Sequence, residues 1–437
     1  MIRIGFITLG CPKNEADTAR MRTLIDASGY EYVDHIEEAD IAIINTCGFI
    51  TSATEESLEC IFEMVREWLP QDRSRHVVVT GCLASRYGDD LSDELEEVSL
   101  CLSVKDEDDL IAHLDALTGS NYSTDPSDNT GSVRTAHGPS EYVMIADGCD
   151  RKCSFCTIPS IRGPYTSRPI DQIAAEVRGL VATGAREIVL VAQDTGRYGK
   201  DLESEVTLVD LIDTLADIED LRWLRIMYVQ PDGLTDELLD CYERHEKVCR
   251  YFEIPLQHSS GRILKEMGRT GDGIRFLDMI DTIRSRFPDA VIRTTLIVGY
   301  PSETQEEFNQ LSEFIRHAHF DYVGVFAYSP EDGTIAAKCE DKIDERTRST
   351  RANELQEIAE EICFERMDRW IDRVVEVMIE GHDEEGLWQG RFFGQAPDID
   401  GIVTLRTNGD DVLESGMIVP IRIDDTFLYD LEGERVE

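Results

Sequence analysis

Basic side chains are scarce in this sequence. Among its 437 residues, lysine and arginine number 43 and aspartate and glutamate 88, which gives a formal net charge of −45. Proteins that coat nucleic acids contact the phosphates through clustered basic residues, so the composition disfavours that class. A basic partner fits the charge better, and a salt-adapted proteome is the alternative explanation.

Long apolar runs are missing as well. No stretch of 18 apolar residues is present, so a membrane span is not expected. The amino-terminal stretch 1–17 lacks the charged and apolar regions of a signal peptide, and we expect a cytoplasmic protein. Hydrophobic residues nevertheless make up 41%, which is enough for packed cores, and the length predicts about three domains.

The first part of the chain alternates between strand-like and helix-like patterns. Apolar, β-branched runs occupy 2–9, 41–45, 76–80 and 98–104, and helix-like stretches such as 15–28 and 53–68 lie between them. This alternation predicts a parallel α/β domain with helices on both faces of the sheet. The polar segment 118–140 is rich in Gly, Ser, Thr and Asn and predicts a linker.

A second alternation is longer. Its six strand-like runs are separated by helical patterns, and they are 142–146, 187–192, 223–229, 251–256, 291–298 and 322–328. Six β/α units predict a full or partial TIM-type barrel, a (β/α)6 core, with its chemistry at the carboxyl ends of the strands. A connecting helix is predicted over 345–367.

The remaining residues change to short strands separated by turns. The five runs are 374–379, 386–393, 401–405, 417–423 and 426–431, which predict a small antiparallel β-barrel. We therefore divide the chain into an amino-terminal domain (1–117), a linker (118–137), a core (138–366) and a small barrel (367–437).

The strongest chemical signal is the group Cys149, Cys153 and Cys156, spaced C-x3-C-x2-C after the first strand of the second alternation. In a reducing compartment, clustered thiols favour metal or redox chemistry over disulfides. Thiolates bind iron–sulfur clusters, and a four-iron cluster normally takes four of them. Three ligands leave one iron open to a small molecule. The alternatives are a structural zinc loop that lacks its fourth ligand, or a chance spacing.

Three further cysteines share one topological position. Cys11, Cys47 and Cys82 each follow the end of a predicted strand in the amino-terminal sheet, and each has an adjacent glycine. The carboxyl ends of parallel strands lie along one edge, so three loops can converge there, and glycines let the backbone approach a bulky cluster. The set predicts a second three-thiolate site, although any one of these cysteines alone is better explained as a buried thiol. The other six are predicted to be packed or surface thiols; they are Cys60, Cys101, Cys241, Cys249, Cys339 and Cys363.

The spaced cysteines and the following Thr-Ile-Pro-Ser-Ile-Arg-Gly at 157–163 resemble the methylthiotransferase family of radical S-adenosylmethionine enzymes. That family has an amino-terminal domain with three more cysteines, which match Cys11, Cys47 and Cys82. The resemblance implies a radical S-adenosylmethionine core in the partial barrel and an OB-like TRAM domain at the carboxyl end.

The resemblance also implies the chemistry. The cofactors would be two [4Fe-4S] clusters and S-adenosylmethionine. The cluster on Cys149, Cys153 and Cys156 would bind S-adenosylmethionine and produce a 5′-deoxyadenosyl radical, which removes hydrogen from an unactivated carbon. The auxiliary cluster on the other trio would hold a sulfur that becomes methylated and transferred, so that C–H becomes C–SCH3.

The signature Gly-Cys-Pro-Lys-Asn at 10–14 resembles the branch of the family that modifies the β-carbon of an aspartate in ribosomal protein S-twelve. Residues 373–437 contain five arginines and sixteen acidic residues, a local charge of −11, which suits a basic ribosomal protein better than phosphates. The family further implies an electron donor such as flavodoxin or ferredoxin. We expect neither membrane binding nor general nucleic-acid binding.

Three alternatives stay open. The same chemistry could act on adenosine 37 of transfer RNA. The chain could instead be a ribosome- or RNA-binding protein whose clusters are structural, or a plain methyltransferase that uses S-adenosylmethionine.

Expectations also follow for positions outside the cysteines. Gln193 and Asp194 end the second core strand and point toward the reaction face, so we expect them near S-adenosylmethionine, with a turn cap as the alternative. Arg293 and the segment 299–304 resemble part of the family's core, and we expect Arg293 to bind the same cofactor. Ser302 stands where the family usually has glycine, so we do not expect the turn to keep the left-handed backbone that glycine favours. A solvated basic face is predicted for Arg262, Lys265 and Arg269.

Overall fold

A computed structural model describes residues 1–122, 134–406 and 412–436, so the stretch 123–133 of the predicted linker lies outside the described residues. Two compact units are present. The first comprises Met1–Thr135, Asp147–Arg151 and Cys156–Thr166, and the second comprises Ala136–Ala146, Lys152–Phe155 and Ser167–Glu437.

The first unit contains a five-stranded parallel sheet in the order β2-β1-β3-β4-β5. Its strands are β1 (Arg3–Thr8), β2 (Glu31–Tyr32), β3 (Ile41–Thr46), β4 (His76–Gly81) and β5 (Leu100–Cys101). Its helices are α1 (Pro12–Asp26), α2 (Thr51–Glu63), α3 (Cys82–Glu94), α4 (Leu110–Thr118) and α5 (Ile158–Ile161). The predicted parallel α/β domain is confirmed, and the fifth strand is shorter than the run 98–104.

The central strands β3 and β4 are buried on both faces, which explains their continuous apolar runs. Ile43 and Val78 belong to the core on one face of the sheet. Ile44 and Val77 belong to the core on the other face. Side chains alternate along a strand, so one apolar run supplies both cores while the loops remain at the edges.

Six parallel strands form the centre of the second unit. They make two sheets, β10-β9-β6 and β11-β12-β13, and the backbone N–H of Val229, beyond β10, donates to the carbonyl of Glu253 in β11 at 3.2 Å. The strands are β6 (Ser140–Met144), β9 (Glu187–Val191), β10 (Trp223–Ile226), β11 (Tyr251–Glu253), β12 (Val291–Val298) and β13 (Tyr322–Ala327), and the two-residue strands β7 (Ala146–Asp147) and β8 (Thr166–Ser167) fall where the chain passes between the units. The predicted partial barrel is confirmed.

Helices separate these core strands as predicted. They are α6 (Ile170–Ala182), α7 (Leu208–Ala216), α8 (Asp236–Arg244), α9 (Gly261–Glu266), α10 (Gly273–Arg286), α11 (Gln305–Ala318) and the connecting helix α12 (Glu345–Met367). The observed bounds of α12 equal the predicted ones, and its start is capped by Asp344, whose side chain accepts from the backbone N–H of Thr347 at 3.0 Å. In the described ranges, no helix has both the length and the apolar character needed to cross a membrane.

The second unit ends in a closed five-stranded barrel in the order β14-β15-β16-β18-β17. Its strands are β14 (Val374–His382), β15 (Trp388–Phe392), β16 (Val403–Arg406), β17 (Ile418–Phe427) and β18 (Asp430–Arg435). The predicted small barrel is confirmed, but closure uses one parallel pair, β16 with β18. The last predicted strand, 426–431, is misplaced, because β17 continues through Asp424 and Asp425 with a bulge and turns only at Leu428, whose φ is +50°.

Buried ion pairs join the small barrel to the core strands of the same unit. Glu187, the first residue of β9, accepts from Arg225 of β10 and from Arg391 of β15, each at 2.7 Å. Burial alone would raise the pKa of Glu187, but the charges of the two arginines outweigh it and lower the pKa to about 2. Arg293 of β12 pairs in the same way with Asp400 at 2.8 Å.

These contacts predict an acid dependence of stability. Glu187→Gln should destabilise the protein at neutral pH by about 3–5 kcal/mol, since it leaves the buried Arg225 without its carboxylate and leaves Arg391 with Glu380 alone. The unfolded carboxyl titrates near its ordinary value of about 4.3, so wild-type stability should fall as the pH drops from about 5 toward 2, by up to about 3 kcal/mol at 1.36 kcal/mol per pKa unit. Denaturant unfolding at several pH values measures the free energy of unfolding of the wild type and of Glu187→Gln.

The difference in the free energy of unfolding between Glu187→Gln and the wild type should therefore become smaller as the pH falls. Glu354→Gln, a change at an exposed position of α12, is the matched control and should follow the wild type at every pH. A Glu187→Gln curve that runs parallel to the wild-type curve across this range would contradict the assignment.

Candidate iron–sulfur sites

Three neighbouring strands bring one set of cysteines to the same edge of the first sheet. Cys11 follows β1 and precedes α1, Cys47 follows β3 directly, and Cys82 is the first residue of α3, directly after β4. Because β1, β3 and β4 are adjacent and parallel, these three loops emerge side by side. We call Cys11, Cys47 and Cys82 the edge trio.

The loops of the edge trio lie too close for side chains at two glycine positions. Gly10 has a φ of +103°, and a Cβ atom there would lie 2.8 Å from Cβ and 3.2 Å from Sγ of Cys47. Gly81 has a φ of +92°, and its Cβ atom would lie 2.4 Å from the carbonyl oxygen of Thr46. Glycine is therefore required at position 10, which lies against Cys47, and at position 81, which lies against Thr46, the residue before Cys47.

Two buried asparagines hold these loops together. The side-chain amide of Asn14 donates to the carbonyl oxygens of Leu9, at 2.7 Å, and Thr46, at 3.0 Å. The amide of Asn45 donates to the carbonyl oxygen of Asn14 at 2.9 Å. The asparagine of the Gly-Cys-Pro-Lys-Asn signature therefore ties the loop of Cys11 to the loop of Cys47.

The thiols of the edge trio share one electrostatic environment. Burial raises the pKa of Cys47 to about 11 and the pKa of Cys82 to about 12, and the neighbouring thiol of Cys11 adds to both shifts. The charge of Arg162 acts in the opposite direction on both pKa values. Without a bound cation the thiols of Cys47 and Cys82 are protonated at neutral pH, so cluster assembly must release those two protons.

The sulfurs of the edge trio do not all lie close enough together to share one metal ion. Sulfurs on one zinc ion lie roughly 3.8 Å apart, given Zn–S bonds of ~2.3 Å. Among the residues that the structure describes, one group of three His, Cys, Asp or Glu side chains has all its ligand atoms within 4.8 Å of one another. It consists of Asp213, Cys241 and His245. That group is already bound by Arg244, which donates to both Asp213 oxygens at 2.8 and 3.1 Å, and we assign no metal to it. The three sulfurs of the edge trio are therefore farther apart than the ligands of one zinc ion.

The second set of cysteines, which we call the core trio, is Cys149, Cys153 and Cys156. Cys149 and Cys156 belong to the first unit and Cys153 belongs to the second. The backbone N–H of Cys149 donates to the carbonyl oxygen of Gly163 at 3.1 Å. The backbone N–H of Ser154, next to Cys153, donates to the carbonyl oxygen of Met267 at 3.0 Å. Each part of the motif is thus fixed within its own unit.

One residue near the core trio was not predicted. Arg269 lies with Nη1 3.9 Å from Sγ of Cys153, and its Nη2 donates to the carbonyl oxygen of Pro255 at 2.5 Å. The prediction of a solvated basic face is therefore wrong for Arg269. Helical spacing suggested that face, but Arg269 lies beyond the end of α9 (Gly261–Glu266), where the spacing rule no longer applies.

The three predicted cofactor contacts occupy different positions. Gln193 and Asp194 lie just beyond the carboxyl end of β9, and Asp194 is fully buried and begins a 3-10 turn at Thr195. Both remain predictions. Arg293 lies near the start of β12 and pairs with Asp400 at 2.8 Å, and its contact with S-adenosylmethionine also stays a prediction.

The turn that contains Ser302 keeps the left-handed backbone despite the missing glycine. Ser302 has a φ of +69°. Its backbone N–H donates to the carbonyl oxygen of Asp341 at 2.9 Å, and its hydroxyl donates to Glu266 at 2.7 Å. Arg262 donates to its carbonyl oxygen at 2.9 Å. These contacts offset the cost of a left-handed serine.

None of the twelve cysteines, all of which lie in described residues, forms a disulfide. Of the six outside the two trios, Cys241, Cys249 and Cys363 are buried and Cys60, Cys101 and Cys339 are partly exposed.

Comparison with known proteins covers the chain from end to end. Three family models match it: Uncharacterized protein family UPF0004 over residues 3–103, the Radical SAM superfamily over residues 143–315, and the TRAM domain over residues 371–436. The "Ribosomal protein uS12 methylthiotransferase RimO" of Alkaliphilus oremlandii is 38% identical over 438 residues and covers 99% of each chain. The protein of the same name from Syntrophotalea carbinolica is 40% identical and covers 100% of this chain and 97% of its own.

Solved structures show the fold. The radical S-adenosylmethionine methyltransferase TsrM from Kitasatospora setae, solved with cobalamin and a [4Fe-4S] cluster, is 16% identical. It aligns with a TM-score of 0.54 over 76% of this chain and 77% of its own. At this identity the likeness concerns the fold alone.

The glycine beside Cys11 provides a test of the edge trio. Gly10→Ala should lower the iron bound after anaerobic reconstitution toward half of the wild-type amount, because alanine strains the backbone by about 1–3 kcal/mol and pushes against Cys47. Gly88→Ala is the matched control in the same unit, since a Cβ there has nothing within 4 Å. The control should keep full iron. Full iron in a folded Gly10→Ala protein would rule out the close approach of these loops around a cluster.

Proposed function

Because the chain belongs to the family of ribosomal protein uS12 methylthiotransferases, we propose that it acts on uS12, the S-twelve protein of the small ribosomal subunit. The reaction replaces a C–H bond on the β-carbon of an aspartate by a C–SCH3 group. The 38–40% identity to uS12 methylthiotransferases over the whole chain carries the choice of substrate. The edge trio supports the methylthio transfer, because it supplies a second thiolate site in addition to the C-x3-C-x2-C motif of the core trio.

Two [4Fe-4S] clusters and S-adenosylmethionine, when bound, supply the radical that removes the hydrogen and the sulfur that replaces it. The residues of this chain hold and orient them. The edge trio holds the auxiliary cluster on loops that Asn14 and Asn45 tie together. The core trio holds the other, with Arg269 beside Cys153. We propose that Gln193 and Asp194 contact S-adenosylmethionine at the carboxyl end of β9.

The three matched families support a division of labour along the chain. We propose that residues 1–117 form the domain of the auxiliary cluster, that residues 138–366 form the radical S-adenosylmethionine core, and that residues 367–437 form the TRAM domain. The family models match within these bounds.

The charge of the small barrel supports a basic protein as its partner. Arg406 pairs with Asp424 and Glu432, and Arg422 pairs with Asp424 and Glu434. These arginines are thus occupied by carboxylates of the barrel itself, within a segment of local charge −11. We propose that this domain approaches uS12 by charge complementarity and has no general affinity for nucleic acid.

The reaction consumes electrons, and we propose flavodoxin or ferredoxin as the donor. The compartment that suits both the donor and two sets of reduced thiols is the cytoplasm.

The reconstituted protein, incubated with S-adenosylmethionine, a reductant and purified uS12, should add the mass of one methylthio group in place of one hydrogen. Transfer RNA offered in a parallel reaction should gain nothing. Mass spectrometry of both substrates separates the proposed reaction from the same chemistry on adenosine 37. A mass gain on transfer RNA alone would contradict the proposed substrate.

The edge trio can be tested separately from the core trio. The combined variant Cys11→Ala, Cys47→Ala and Cys82→Ala should fall from about eight to about four iron per chain, since each cubane holds four. It should still release 5′-deoxyadenosine, yet transfer no sulfur to uS12. Cys60→Ala, Cys101→Ala and Cys339→Ala together form the matched control, which should keep iron and activity. An edge-trio variant that still methylthiolates uS12 would refute the proposed role.

A further inference from the structure

A buried arginine contacts the edge trio directly. Arg162 follows α5, and its side chain is only 1% exposed. Its Nη2 lies 2.7 Å from Oδ2 of Asp17 and 3.8 Å from Sγ of Cys82, and its Nη1 lies 3.1 Å from Oδ1 of Asp147. One guanidinium group therefore bridges two carboxylates and the sulfur of a proposed cluster ligand.

The carboxylate that holds Arg162 is itself held in place. Asp17 lies 3.8 Å from Arg20, which donates to Glu107 at 2.7 Å. Glu107 also accepts from the hydroxyl of Thr80, two residues before Cys82, at 2.8 Å. The network fixes the position of the Arg162 guanidinium relative to β4, the strand that ends directly before Cys82.

The segment around Arg162 reaches the loops of both trios. The carbonyl oxygen of Gly163 accepts from the backbone N–H of Cys149, at 3.1 Å. The hydroxyl of Thr157 donates to the carbonyl oxygen of Phe49, two residues after Cys47, at 3.4 Å. The Thr-Ile-Pro-Ser-Ile-Arg-Gly motif thus links the loops of Cys149 and Cys47 within the first unit.

A cluster bound to three thiolates brings negative charge into this buried place. An uncompensated buried charge is costly, and a fixed cation offsets that cost. A hydrogen-bond donor at a ligand sulfur also withdraws electron density from the cluster and makes its reduction easier. Arg162 is positioned to provide both effects.

We propose that Arg162 is a positioning residue for the auxiliary cluster: it orients Cys82 and raises the reduction potential of the cluster that the edge trio holds. The inference rests on the proposed function only in requiring a cluster at the edge trio. Asp17 counterbalances Arg162, so the two residues should shift the potential in opposite directions.

The test uses the full chain with Cys149→Ala, Cys153→Ala and Cys156→Ala as the parent, so that only the auxiliary cluster contributes. Mediated redox titration, followed by electron paramagnetic resonance, measures its midpoint potential. Arg162→Gln should lower the ratio of reduced to oxidised cluster at a fixed potential at least tenfold, which is 59 mV for one electron. Asp17→Asn should raise that ratio. Arg66→Gln, the same charge change at an exposed position of the first unit, should leave it within twofold.

An Arg162→Gln protein that loads iron like its parent and keeps the parent's ratio within twofold would overturn the proposal. So would shifts of the same sign for Arg162→Gln and Asp17→Asn, because a merely structural perturbation has no reason to reverse its sign. If Arg162→Gln binds no iron, Arg162→Lys, which keeps the charge, should restore loading. The inference would also be overturned if Arg162→Lys bound as little iron as Arg162→Gln and Asp17→Asn left the ratio of reduced to oxidised cluster unchanged. A parent that binds no iron counts against the proposed function instead.

Discussion

The parallel register of three strands is the constraint on which the edge trio depends. Thr8 of β1 lies opposite Asn45 of β3, which lies opposite Thr80 of β4. The three strands therefore end at the same level, and the loops that follow them leave the sheet side by side at one edge. A shift of this register would move one cysteine away from the others. The left-handed glycines and the asparagine amides act on loops that the register has already brought together.

Buried arginines paired with acids recur in both units. In the first unit Arg162 pairs with Asp17, and in the second Arg391 pairs with Glu187. A buried ion pair adds little net stability, since desolvation offsets its attraction, but losing one partner is costly. Such pairs therefore fix positions: one sets a guanidinium beside Cys82, and the other fixes the small barrel against the core strands. In a chain with few basic residues, these arginines are placed where position matters.

Much of the fold could be predicted because it follows from local patterns. Alternating apolar runs and helical spacing located the sheet, the partial barrel and α12, and the positions of the cysteines after strands indicated the edge trio. The comparisons confirm the predicted family. Contacts between distant parts of the chain left no such pattern. Arg162 meets Cys82 across 80 residues of sequence, and Arg293 meets Asp400 across 107. The bulge in β17 and the left-handed Ser302 also depend on neighbours that periodicity does not reveal.

Crystals of the anaerobically reconstituted chain would test the central claim most directly, through anomalous scattering at the iron absorption edge. Two separate iron peaks are predicted, one of them bonded to the sulfurs of Cys11, Cys47 and Cys82. A single peak at the C-x3-C-x2-C motif, with the thiols at the sheet edge bound to no iron, would contradict the account.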